Sequence, residues 1–392
     1  MITVPPSRHG ARAPRLIEAG LAEIGGLIDG AARCLLVADP GLHAPGWVGL
    51  AVGSLRRAGA DVVLWDHVHP DPSEADAERA AAALRATDAE VVVALGGGSA
   101  IDTAKAAILL RALGGRMRDH RGAGAAVGAL LPLVVAPSTA GTGSECQSFT
   151  LITRDEDHAK MACGHPGLMP SSVLLDADLL GTCPRSVRVT AGLDAWGHAL
   201  EALVSTASTP AASRAAHAAA VWLWRSLPSF VEGSETRSQR AELLRAAALA
   251  GAAIEGGMLG AAHALANPLS ARFGLAHGAA VGLMLPHVLA WNMANNHDAS
   301  ERYAALAAEL GAGDARALVA STAAWAATWG VPSLSSAGAG PAHLPALAED
   351  ALQQWTGRFN PVRLDLGAAT SLYAAALAAS DVGASKGDRA RA

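Results

Sequence analysis

Four short apolar runs, each followed by a turn or a helical pattern, lie in the first 140 residues and leave that half of the chain little choice of fold. They are RCLLVAD (33–39), ADVVLWD (60–66), AEVVVAL (89–95) and LPLVVAP (131–137). Runs this continuous suit strands buried on both faces, as in a parallel sheet covered by helices. The stretches between them fit that arrangement. A helix is expected over Trp47–Ala58, a second carries Glu74, Glu78 and Leu84 with Ser73 as its cap, and a third ends near Leu113. Ahead of the first run, residues 1–30 read as an edge strand and a helix over Arg15–Ile28.

The character changes near Thr182. Strand-like runs disappear, and Ala/Leu-rich helical stretches punctuated by Gly and Pro continue to Ser380. The expectation is an α/β domain over residues 1–182 and an all-helical domain over 183–392, divided near Cys183-Pro184. SLSSAGAGPAH (333–343) reads as a loop in the helical half, and GASKGDRARA (383–392) as a polar, frayed end.

Composition narrows the function. With 392 residues the chain can bury two cores, and at 51% hydrophobic and 17% charged it has the content to do so. Its net charge of −5 and lack of any basic run argue against nucleic acid or an anionic membrane as partner. MITVPPSRHGARAPR has no apolar core of signal-peptide length, and no run is apolar enough to span a bilayer, so a cytoplasmic protein is expected. The four cysteines (Cys34, Cys146, Cys163, Cys183) are scattered without a C-x-x-C, which speaks against a disulfide framework or a zinc knuckle. Cys163, close to Lys160, reads as a free buried thiol.

Chemistry enters where strands give way to loops. GGGSAIDTAK (96–105) follows the third run, and its glycines allow close backbone approach while the N–H groups of the next helical turn attract a diphosphate. It is not a G-x-G-x-x-G fingerprint, and Ser99-x-x-Asp102 could equally be a capping box. STAGTGSE (138–145) repeats the pattern after the fourth run, with Ser138, Thr139 and Thr142 as hydroxyl donors. Two such loops at the carboxyl ends of adjacent strands stand where open α/β sheets bind ligands.

A second cluster lies in the helical half. DAWGH sets Asp194 and His198 four residues apart, one turn on a helix, and HALANPLSARFGLAH adds His263 and His277. Three nitrogens and one oxygen suit Fe²⁺ or Zn²⁺ and suit Mg²⁺ or Ca²⁺ poorly. Each of these four side chains could instead be a hydrogen-bonded core or surface group. Their apolar surroundings, where an unpaired polar group is costly to bury, strengthen the metal reading but leave both open at this point.

Together GGGSAIDTAK, TAGTGSE and GLDAWGHALEALVS…AAHALANPLSARFGLAHGAAVGLMLPHVLAWN resemble the iron-containing (group III) alcohol dehydrogenase family. LLVADPGL (35–42) and SSVLLDADLLGTCPRSV (171–187) extend the resemblance to roughly residues 15–380. It implies a dinucleotide-binding α/β domain joined to a helical metal domain of the dehydroquinate-synthase-like type, working as a homodimer. Asp194, His198, His263 and His277 would bind Fe²⁺, with Zn²⁺ as the alternative. Gly97, Gly98 and Ser99 would hold the pyrophosphate, Thr139 and Thr142 would lie near the nicotinamide, and Lys160 beside the cofactor; Ser138, Asp102 and Leu179 join the cofactor set. Asp39 matches the acid that bonds the adenosine ribose, and a carboxylate there favours NAD over NADP; otherwise it is only a strand-end turn residue.

One position departs from the family. Where a second histidine commonly faces nicotinamide and substrate, this chain has Asn267, which can hydrogen-bond but cannot carry a proton at neutral pH. Asn267 and Asp102 are the candidate catalytic side chains. Trp196, bulkier than usual between two ligands, either packs in the core or narrows the pocket, whose lining is expected around Phe149, Leu151, Leu259 and Trp355. The implied reaction is reversible oxidation of a primary alcohol to its aldehyde, with hydride passing to NAD in the interdomain cleft. Two rivals stand beside it. One is an NAD- and metal-binding protein with little turnover because of Asn267. The other is a dehydroquinate-synthase-like lyase, which would need basic residues such as Arg272 around its substrate. Tyr303 and Tyr373 lack a lysine four residues on, so a Tyr-Lys short-chain mechanism is unsupported.

Overall fold

In the computed structural model, which describes residues 4–124 and 128–389, the four apolar runs become four neighbouring strands of one sheet. In chain order the first half comprises β1 (Arg15–Ile17), β2 (Arg33–Ala38), α1 (Trp47–Arg57), β3 (Asp61–Trp65), α2 (Glu74–Thr87), β4 (Val91–Gly96), α3 (Gly98–Leu113), β5 (Gly122–Ala123), β6 (Leu133–Pro137), β7 (Phe149–Thr153), β8 (Lys160–Gly164), β9 (Ser172–Leu174) and α4 (Ala177–Gly181). The six-stranded sheet has the order β1-β9-β6-β4-β2-β3 and is parallel throughout. The inner strands β4 and β6 are buried at every position, as their continuous apolar sequences require. At the edge, β3 alternates instead, and Val63 is left exposed. Leu36, Val93 and Val134 face the core under α1, while Leu35, Val92 and Val135 face α2 and α3. Ser73 caps α2 as expected, in a capping box with Asp76.

Three features differ from the sequence expectations. Only Leu21–Leu27 coils within the helix expected over Arg15–Ile28, and it does so as a 3-10 turn, because Arg15–Ile17 is held as β1 beside β9. The strand β9 fills the gap between β1 and β6, although it is only three residues long. Residues 149–164 form an antiparallel hairpin, β7 with β8, in a second small sheet that closes over one side of the cleft.

After Pro184 the described chain is helical: α5 (Arg185–Val204), α6 (Pro210–Glu232), α7 (Arg237–Gly257), α8 (Ala261–Phe273), α9 (His277–Asn295), α10 (His297–Glu309), α11 (Ala315–Thr328), α12 (Leu344–Leu352) and α13 (Leu366–Arg389). Alanine dominates the contact faces, with Ala219, Ala246, Ala250 and Ala280 fully buried, so the helix axes can approach closely. The expected loop 333–343 lies between α11 and α12. The backbone of the tail is helical as far as Arg389 rather than frayed from residue 383; residues 390–392 lie outside the described residues. Among the described residues no single helix is long and apolar enough to cross a membrane.

Candidate active site

The candidate metal cluster is built by three helices. Asp194 and His198 lie one turn apart on α5, His263 is in the first turn of α8, and His277 opens α9. The Nε2 atoms of His198, His263 and His277 stand 3.5, 3.4 and 3.6 Å from one oxygen, Oδ1 of Asp194. Donors about 2.1 Å from a tetrahedral ion stand about 3.4 Å apart, so this spacing is that of a coordination shell. Asp194 Oδ1 and His263 Nε2 are buried and make no hydrogen bond, which is costly unless a cation takes them. Asp194, His263 and His277 offer donor atoms mutually within 4.8 Å; His198 joins them through the shared carboxylate oxygen and lies outside that mutual set.

Two glycines make the approach possible. A Cβ on Gly278 would fall 1.8 Å from the carbonyl oxygen of Thr190, and one on Gly197 would fall 2.5 Å from Val281 Cγ1. The backbone of α9 can thus lie against α5, bringing His277 to Asp194.

Behind the cluster stands a carboxylate that the sequence reading passed over. Glu201 is 2% exposed; its Oε2 lies 2.5 Å from His263 Nδ1 and its Oε1 accepts the N–H of Ala262 at 2.5 Å. A carboxylate on the far ring nitrogen fixes the tautomer and makes Nε2 a better ligand. Burial alone would lower His263, but Glu201 and Asp194 push it up to about 9. For His198 and His277 burial dominates and pushes them down to about 4, so both rings are neutral with a lone pair free at pH 7. Burial would raise Asp194, yet the facing histidines hold it below the usual carboxylate range. With Glu201 counted, an ion of charge +2 here is close to neutralised, rather than left with the single positive charge that Asp194 alone would give. The sequence offers only a faint signal, an acid three residues after His198 in an Ala/Leu helix, and its role shows only once His263 stands beside it.

The glycine-rich loops lie at the carboxyl ends of β4 and β6, and Asp39 follows the carboxyl end of β2. Gly97 caps α3, so the alternative capping box of Ser99 with Asp102 does not form; Ser99 Oγ instead accepts the N–H of Asp71 at 3.2 Å. A Cβ on Gly97 would fall 3.1 Å from Thr139 Cγ2, and one on Gly98 would fall 2.6 Å from Thr142 Cγ2. Glycine is what lets the second loop lie on the first. Lys105, fully buried, ties the two together by donating to the carbonyls of Ser144 (2.6 Å), Gln147 (2.6 Å) and Phe149 (2.9 Å). Asp39 follows β2, where its Oδ1 accepts the N–H of Gly41 at 2.8 Å, so its turn-residue role is real and does not remove it from the cleft.

Both clusters face one cavity of about 910 Å³ between the sheet half and the helical half. Asp39, Gly97, Gly98, Ser99, Asp102, Thr139, Thr142 and Lys160 are on its wall with Asp194, His198, His263 and His277. Phe149, Leu151, Leu259 and Trp355 line it as expected, and so does Asn267, whose Nδ2 donates to Gln354 Oε1 at 2.9 Å. Two expected cofactor contacts are placed otherwise. Ser138 is buried behind the wall, its N–H bonded to the Gly96 carbonyl, and Leu179 is sealed in the core beneath the sheet, where its side chain packs against apolar neighbours. Trp196 is core: it is fully buried, donates to Thr322 Oγ1 and packs against Trp224 and Trp325. The sequence reading also missed His9, whose ring meets Phe149 edge-on at the cavity wall.

Asp102 is a buried acid under the glycine loop. Burial pushes it up to about 6 against the pull of Lys105 and Lys160. An acid whose folded value exceeds its unfolded one binds more protons when folded, so its contribution to stability falls as pH rises from about 4 through 6. Asp102→Asn is therefore expected to melt at a higher temperature than the parent near pH 8, with the gain vanishing towards about pH 4. Melting curves across that range check it; a gain independent of pH would contradict it.

A sheet domain with glycine-lined loops, facing a helical domain with a His₃Asp cluster, defines a class of two-domain, cofactor-using enzyme. The chain belongs to the iron-containing alcohol dehydrogenase family, an oxidoreductase family: the model "Iron-containing alcohol dehydrogenase" matches residues 16–177 and "Fe-containing alcohol dehydrogenase family, C-terminal" matches 188–377. It is 35% identical to alcohol dehydrogenase 4 of Saccharomyces cerevisiae (strain YJM789) over 67% of this chain and 68% of that protein. With the NAD-dependent methanol dehydrogenase of Bacillus methanolicus it shares 31% over 78% of each. The iron-containing alcohol dehydrogenase structure from Thermococcus thioreducens superposes with a TM-score of 0.84 at 27% identity, over 93% of this chain and 98% of that one.

Proposed function

We propose that the protein interconverts a primary alcohol and its aldehyde, with NAD carrying the hydride and a divalent ion, Fe²⁺ or Zn²⁺, held by Asp194, His198, His263 and His277. The observation that carries this is the gathering of three imidazole nitrogens round one carboxylate oxygen on the wall that also bears the glycine loops. In this scheme residues 1–182 present the cofactor, residues 183–392 present the ion, and the working unit is a cytoplasmic homodimer. The ion would supply Lewis acidity toward a hydroxyl or carbonyl oxygen, and the nicotinamide would take up or release hydride.

The chain's own residues do the rest. The N–H groups at Gly97, Gly98 and Ser99 bind the diphosphate at the start of α3, helped by Lys160, and the hydroxyls of Thr139 and Thr142 stand on the nicotinamide side. Asp39 accepts from the ribose hydroxyls and repels a 2′-phosphate, which selects NAD. Ser138 supports the glycine loop from behind through its N–H bond to the Gly96 carbonyl, while Leu179 takes no part in contact with the cofactor. Asn267 orients the substrate or the ribose by hydrogen bonding and leaves proton transfer to other groups; Asp102, titrating near neutral pH, is a candidate. Phe149, Leu151, Leu259 and Trp355 give the substrate end an apolar wall, which suits short to medium aliphatic alcohols and excludes water. Arg272, which a lyase would draw on, instead pairs with Asp350 at 2.6 Å and is not on the cavity wall, although Arg121 and Arg358 are; what disfavours a lyase is the match of both halves to alcohol dehydrogenase families.

The test is reduction of NAD by a panel of primary alcohols, with a chelator and with Fe²⁺ or Zn²⁺ restored. Turnover that disappears on chelation and returns with either ion is expected. NAD binding without turnover under any of these conditions would support the binding protein instead.

A further inference from the structure

The turn between β3 and α2 forms part of the cavity wall and touches two of the groups proposed to hold the cofactor, Ser99 and Lys160. Asp71 stands in it with φ of 53°, the left-handed region that a non-glycine residue rarely enters. The turn is held there from three directions. The Asp71 N–H donates to Ser99 Oγ, its carbonyl accepts from Thr153 Oγ1 at 3.1 Å, and the neighbouring Pro72 carbonyl accepts from the Thr153 N–H at 2.8 Å. The Asp71 carboxylate pairs with the ammonium of Lys160 on β8. Asp71, Ser99 and Lys160 all lie on the cavity wall.

We propose that the Asp71 carboxylate sets the affinity for the dinucleotide: in the free cleft it engages Lys160, and a diphosphate must compete with it for that ammonium. This rests on the proposed use of NAD. The physical reason is charge. Lys160 is 16% exposed, so its ammonium has few alternatives to Asp71, and a diphosphate arriving beside it meets the carboxylate as well. Asp71 is a positioning residue, acting on the cofactor through the lysine.

The test is NAD binding by calorimetry on the full chain, in the parent, Asp71→Asn, Lys160→Met and the double variant. Asparagine tolerates the left-handed backbone, so the first substitution removes the charge and keeps the turn. Asp71→Asn should tighten NAD roughly fivefold, the scale of one partly exposed charge pair. ADP-ribose, which keeps the diphosphate, should tighten equally, whereas adenosine should bind the parent and the variant alike. In the Lys160→Met background the gain should largely vanish. Unchanged or weaker NAD binding by Asp71→Asn, or an equal gain for adenosine, overturns the proposal while leaving NAD use intact. Failure of every form to bind NAD overturns both.

Discussion

Asp194→Ala is expected to leave a folded protein that neither retains Fe²⁺ or Zn²⁺ nor oxidises an alcohol. Asp194 Oδ1 is the point on which all three imidazoles converge, and no other carboxylate among the described residues offers an oxygen to the same mutual set. If about 12 kcal/mol of binding is spread over four ligands, losing one removes about 3 kcal/mol, roughly two orders of magnitude in affinity. The truncation also takes from His263 one of the two carboxylates that hold it up, so some loss of melting temperature is expected even with chelator present, on top of the lost metal. Metal analysis of anaerobically purified protein, with melting curves in chelator, separates this from general damage. A variant that kept its metal and its turnover would remove the basis of the ligand assignment.

Glu201→Gln should be the second most damaging single change. The amide keeps the shape and can still accept from the Ala262 N–H, but it places no charge against His263 Nδ1. Loss of the carboxylate behind a ligating ring weakens metal affinity by about 10–100-fold, so the variant should need excess ion for activity that the parent shows without it. Titration with Zn²⁺ against a competing chelator measures the change directly. If affinity were unaltered, the contact would be packing alone. Because the amide leaves the site with more net positive charge, the rate at saturating ion need not fall with the affinity.

Much of this arrangement is legible in the sequence because it depends on patterns of short period. The strands β2, β3, β4 and β6 announce themselves as apolar runs bounded by turn residues, and Asp194 with His198 as a one-turn step. What was not legible depends on contacts between distant segments. The strand β9 has three residues and exists because β1 and β6 flank it. The hairpin β7–β8 mixes Thr, Lys and Cys with apolar residues and has no clean alternation, since it packs against α3 on one side and opens to the cavity on the other. Leu179 looked like a ligand contact by its place in a motif, but its burial depends on α1 and the 3-10 turn before β2, elements far off in the chain. Glu201 and Asp71 acquire meaning only once His263 and Lys160 are seen beside them.

At Gly143 and Gly251 the two halves touch main chain to main chain: a Cβ on Gly143 would fall 2.4 Å from Gly251 Cα, and one on Gly251 would fall 2.4 Å from the Gly143 carbonyl oxygen. No side chain cushions that contact, so the halves have no room to slide past one another there. A change of any size at either glycine would therefore have to be taken up by main chain, by shifting the loop at Gly143 or the helix at Gly251. Gly141 meets α5 in the same way, a Cβ there falling 2.4 Å from Ala191 Cβ, so the loop after β6 is seated on α5 and α7 by main chain at two successive points.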